Sequence, residues 1–99
     1  MGMTQKEARR YASDSANWSV VKSDDLVRYS ELIFKDLHYV MVEIRSVDVL
    51  DHWNKVEHPK LIWTHEMYYK LEHAGDAVFT TPVRMSLISA EIWEADRAV

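Results

Sequence analysis

The chain has no cysteine and only two glycines, two prolines and two asparagines. Without thiols there is no disulfide, no thiolate metal ligand and no cysteine nucleophile. The two glycines, Gly2 and Gly75, cannot build the loop of backbone N–H groups that cradles a phosphate, so P-loop and dinucleotide-fold binding are excluded. No G-x-S-x-G elbow presents a serine nucleophile. Tight turns draw on Gly, Asn, Asp and Pro, so a shortage of these residues favours a few long helices over many short strands.

Long hydrophobic runs are missing too. No segment approaches the roughly 20 apolar residues that cross a bilayer as a helix. The opening MGMTQKEARRYASDS is polar and lacks the apolar run of a signal peptide. Positive charge is also short, with 12 basic against 16 acidic side chains and a net charge of −4. Only Arg9-Arg10 are adjacent, so no face that could neutralise several phosphates is assembled. The expectation is a soluble, cytoplasmic protein with neither nucleic acid nor membrane as partner.

What is present is apolar and aromatic. In 99 residues, 47% are hydrophobic and 28% charged, and there are four Trp, five Tyr and two Phe. The length reads as one domain spanning residues 1–99. Thr4-Gln5-Lys6-Glu7 is a capping-box pattern opening a short helix with Ala8, Tyr11, Ala12 and Ser15 on one side. Ser23-Asp24-Asp25 reads as a second helix start. From there Leu26, Tyr29, Ile33, Leu37, Val40, Ile44 and Val47 recur at steps of three and four, which predicts a helix over 24–47. Leu32, Tyr39 and Val42 fall on its opposite side, as they would on a central helix or one covered by a partner.

Further helices are predicted from Asp48 to Pro59, from Pro59 to His73 with Gly75 as the stop, and from Val83 to about Arg97 after the cap Thr80-Thr81-Pro82. The sum is an all-α, compact single domain of four to five helices. The alternative is α+β, because Val40, Val42 and Ile44 alternate with Met41, Glu43 and Arg45, and Val83, Met85 and Leu87 with Arg84 and Ser86. That pattern places strands near 39–45 and 83–89.

Three constellations bear on chemistry. His65-Glu66 is followed at Tyr69 by tyrosine, where zinc hydrolases carry a second histidine. On a helix His65 and His73 would stand about 12 Å apart, too far to share an ion. Asp48-xx-Asp51 and Glu91-xx-Glu94 are carboxylate pairs of the kind that hold Mg²⁺ or Mn²⁺ in all-α hydrolases, so Asp48, Asp51, Glu91 and Glu94 are the metal candidates. A small-molecule pocket would draw on Trp53, Met67 and Trp93. The aromatic excess points to a surface instead, since large aromatics concentrate at interface cores. The leading expectation is a non-catalytic binding protein, without a cofactor, that forms a homodimer and possesses room for another protein partner. It would act through a helical surface with Leu32, Tyr39, Val42 and Trp63 at the interface.

Overall fold

The computed structural model of the chain describes residues 2–47 and 61–98, and the side chains of all of these except Val47, His65 and Glu66. Helix α1 (Gln5–Ser13) begins where the capping box put it. The Thr4 hydroxyl accepts the Glu7 N–H at 3.1 Å, and the Glu7 carboxylate accepts the Thr4 N–H at 3.1 Å. Two of the orphan donors at the helix start are thereby satisfied reciprocally. Ala8 and Ala12, one turn apart, are buried. A 3₁₀ turn at Ser15–Asn17 follows, and the Trp18 indole N–H donates back to the Ala12 carbonyl at 2.8 Å.

The centre of the chain is a sheet. Strands β1 (Ser19–Ser23), β2 (Val27–Phe34), β3 (Leu37–Val47), β4 (Leu61–Ala74) and β5 (Ala77–Val83) pair in sequence order, each antiparallel to the next. Helix α2 (Met85–Arg97) closes the described chain. Both helices lie on one face of the sheet, where Ala8, Ala12, Ile88 and Ile92 pack with Trp18, Leu32 and Tyr39. The Met3 N–H donates to the Asp96 carboxylate, joining the start of α1 to the end of α2. The whole measures 56 × 35 × 18 Å.

The four- to five-helix reading is therefore overturned. The segment read as a helix over 24–47 is the β2–β3 hairpin, and the histidine-bearing segment 59–73 is mostly β4. The helix expected between Asp48 and Pro59 lies outside the described residues. Of the two strands in the α+β alternative, 39–45 falls inside β3, whereas 83–89 holds the end of β5 and the first turn of α2.

The physical reason is visible in 24–47. Steps of three and four picked out one residue set, but Leu32, Tyr39 and Val42 were left over on the other side. A strand with both faces apolar produces that leftover, because successive side chains alternate between faces. The turns also carried no warning. Lys35-Asp36 connects β2 to β3 with Lys35 at φ 51°, a conformation that normally favours Gly or Asn. Lys35 is held there by its ammonium, which donates to the Ala95 carbonyl at 2.6 Å, near the negative end of α2. Gly75, at φ 63°, was read as a helix stop and is instead the β4–β5 turn.

Candidate functional site

Register decides which residues share a face. Leu32 pairs with Tyr39, and both point to the helices; Tyr29 pairs with Val42, and both point away. By the same alternation the face away from the helices, the open face, carries Val27, Tyr29, Glu31 and Ile33 on β2 and His38, Val40, Val42 and Ile44 on β3. β4 adds Met67, Tyr69, Leu71 and His73, and β5 adds Val78, Thr80 and Pro82. Most of these are apolar, and neither α1 nor α2 packs on them. Tyr29 is 37% exposed, Ile33 58%, Met67 42% and Val78 53%, large values for side chains of this kind. Val40, Val42, Tyr69 and Leu71 in the middle are half-buried by their neighbours.

The few polar groups of this face are of both signs. Lys22 sits opposite Tyr29 on β1. Near the end where both hairpins turn, the Glu31 carboxylate lies 2.9 Å from His38 Nε2, and His38 Nδ1 lies 3.4 Å from His73 Nε2. The two imidazole planes are within 16° of parallel and their centroids 5.7 Å apart, which places the rings end to end.

The covered face is wired differently. The Tyr39 hydroxyl donates to Glu91 Oε1 at 2.6 Å, and the Lys70 ammonium donates to Glu91 Oε2 at 2.7 Å, so one carboxylate of α2 binds two strands. Burial, then the hydrogen bond and charge of Glu91, push the Tyr39 phenol well above its usual range. The bond to Glu91 likewise raises Lys70. Burial raises Tyr68, with the Glu43 charge adding to it. Beyond the helices Arg28 makes a two-bond ion pair with Glu43, at 2.9 and 3.0 Å. The guanidinium groups of Arg28 and Arg45 lie 4.7 and 5.9 Å from the centre of the Trp63 ring.

The four interface candidates are thus split by the sheet. Leu32 and Tyr39 are 1% and 0% exposed in the protomer's own core. Trp63 pairs with Arg45 on the helix side, and only Val42 stands on the open face. Of the pocket candidates, Met67 is on the open face and Trp93 on α2, with the sheet between them; Trp53 lies outside the described residues. Asp48 and Asp51 also lie outside them. Glu91 is occupied by Tyr39 and Lys70, while Glu94 is exposed one turn further along α2.

Tyr29, Ile33, Val40, Tyr69 and Leu71 stand on the open face but are not among the interface or pocket candidates read from the sequence. Their signal was partial alternation, Val27 and Tyr29 with Arg28 and Ser30, and Tyr69 and Leu71 with Lys70 and Glu72, which the helical spacing of Tyr29, Ile33 and Val40 outweighed. Among the described residues no three His, Cys, Asp or Glu side chains converge as a metal site, and no helix is long and apolar enough to cross a membrane. No family model, curated protein or solved structure matches the chain.

Proposed function

We propose that the protein is a binding module that works by association, and that the open face of its sheet docks against the same face of a second copy to form a homodimer. The observation that carries this reading is the run of apolar side chains across β2, β3, β4 and β5 that no helix among the described residues covers.

Charge and edges support a second copy over other occupants. Lys22 and Glu31 give the face both signs, which suits self-pairing about a twofold axis and does not suit a polyanion. The sheet's edges discourage strand-to-strand addition: the β1–β2 register slips between Val20 and Lys22, and β5 carries Pro82. Face-to-face packing is what remains. Such a protein would be soluble and cytoplasmic, and the dimer would present its helices outward for any further protein partner.

Light scattering on a size-exclusion column tests the reading. The expected mass is twice 11.7 kDa, falling toward the monomer on dilution. A mass of 11.7 kDa at every concentration would overturn it.

A further inference from the structure

The histidine pair on the open face has a geometry of its own. Glu31, His38 and His73 come from three adjacent strands, and the register alone brings them together. An ionised carboxylate can only accept, so its contact with His38 Nε2 at 2.9 Å puts the proton of the neutral ring on that nitrogen. Nδ1 then presents a lone pair toward His73. This is the arrangement by which a carboxylate fixes the tautomer of a metal-ligating histidine.

The facing nitrogens, His38 Nδ1 and His73 Nε2, are 3.4 Å apart. That is long for an N–H donor on a nitrogen acceptor. Two imidazole nitrogens on one tetrahedral ion stand at a similar spacing, about 3.3–3.4 Å when each bond is about 2.0–2.1 Å, and a rotation of the rings out of their present end-to-end line would aim both lone pairs at such an ion. The residues paired with the two histidines across the neighbouring strands are Ile33 and Val78, neither of them cationic.

We propose that His38 and His73 form a site for a divalent first-row transition ion, Zn²⁺ in the first instance, with Glu31 positioning His38. Imidazole ligands select Zn²⁺, Cu²⁺ or Ni²⁺ over Mg²⁺ and Ca²⁺, which take oxygen. Among the described residues no third protein ligand converges, and solvent completes the coordination. The ion ties β3 to β4 at the turn end of the sheet and stabilises the folded chain by mass action.

One chain supplies both ligands, so the site stands independently of the dimer. Calorimetric titration of the full chain with ZnCl₂ at neutral pH tests it. The expected result is one ion per chain, at least a ten-fold loss of affinity in His38→Gln and in His73→Gln, and about a ten-fold loss in Glu31→Ala. The double variant His52→Gln/His58→Gln should bind as the wild type does. Saturable binding that survives His73→Gln, or no saturable binding below millimolar Zn²⁺, overturns the site. The same titration is run on Val42→Glu, which places a carboxylate amid the open face. Unchanged affinity is expected there even when the chain is monomeric, and binding confined to the dimer overturns a one-chain site.

Discussion

Two cross-strand pairs of the β2–β3 hairpin make a natural experiment. Leu32 and Tyr39 face the helices and are sealed at 1% and 0% exposure. Tyr29 and Val42 face the other way, with Tyr29 still 37% exposed. The residue types are alike and the backbone is shared. What differs is that α1 and α2 cover one side, where even the polar atoms are matched through Tyr39, Glu91 and Lys70. A strand apolar on both faces has to be covered twice, and the helices cover it once. The lesson is that a missing layer can be inferred from the pattern of a strand whose other layer is already in place.

The sharpest way to break the comparison is Val42→Glu. If the open face docks on itself, the twofold axis buries two unpaired carboxylates, each costing about 3–5 kcal/mol. The dissociation constant should rise by at least about 100-fold, measured by serial dilution in light scattering or by analytical ultracentrifugation. The variant's circular dichroism should remain that of a folded α+β chain. A Val42→Glu protein that dimerises as tightly as the wild type would show that the face is free.

Next in size is a contrast between sequence neighbours. Leu32→Ala opens a cavity beneath the helices and should cost about 2–5 kcal/mol of folding stability. Ile33→Ala removes a side chain that is 58% exposed, and in the monomeric Val42→Glu background it should cost under about 1 kcal/mol. Urea denaturation of both in that background reads the ratio directly. Equal costs would mean that the two faces are equally buried in the single chain, against the difference on which the docking proposal rests.

How much of this was legible in the sequence follows the same division. α1 was, because its capping box is a local device whose donors and acceptors are three residues apart. The segment of α2 was found as well, from Thr80-Thr81-Pro82 onward, although those residues belong to β5 and the N-cap is Arg84, without a side-chain capping bond. The sheet was not legible. Its register depends on turns at Lys35-Asp36 and Gly75-Asp76, and the first uses a lysine stabilised by a carbonyl 60 residues away. The leftover apolar residues Leu32, Tyr39 and Val42 were noticed, but on a helix they formed one surface, whereas on a hairpin they are parted by the thickness of the sheet. His38 and His73 lay on separate predicted elements, and only the β3–β4 register makes them neighbours.

A smaller effect sharpens the covered side. Tyr39→Phe leaves Glu91 with Lys70 alone and should cost about 1–2 kcal/mol at neutral pH. Its pH dependence has a definite sign. Tyr39 and Lys70 both have folded-state values raised above the unfolded values of 10.0 and 10.5. Above pH 10 the folded chain therefore holds more protons than the unfolded one, and stability falls as pH rises. Below pH 10 that contribution is fully present. Each retained proton adds a slope of about 1.4 kcal/mol per pH unit, so Tyr39→Phe should flatten the alkaline limb of a urea-midpoint profile. An unchanged limb would mean that the phenol is not held neutral by its burial and by Glu91.

The smallest effect lies outside both faces, in the loop between β1 and β2, and serves as their control. Asp24 Oδ1 accepts the N–H groups of Leu26 and Val27, each at 2.8 Å, and these backbone bonds hold its carboxyl below the usual value of 3.8. A depressed value stabilises the fold above the unfolded pKa and withdraws that support as pH falls through the folded one. Asp24→Asn keeps an oxygen to accept both bonds but removes the charge. The variant should be slightly less stable than the wild type at neutral pH, with the two converging as pH falls through the folded-state value, and it should leave the dimer's dissociation constant unchanged. A shift in that constant would extend the docking surface past the sheet to the β1–β2 turn, and the distinction between a covered and an open face would no longer be enough to locate the interface.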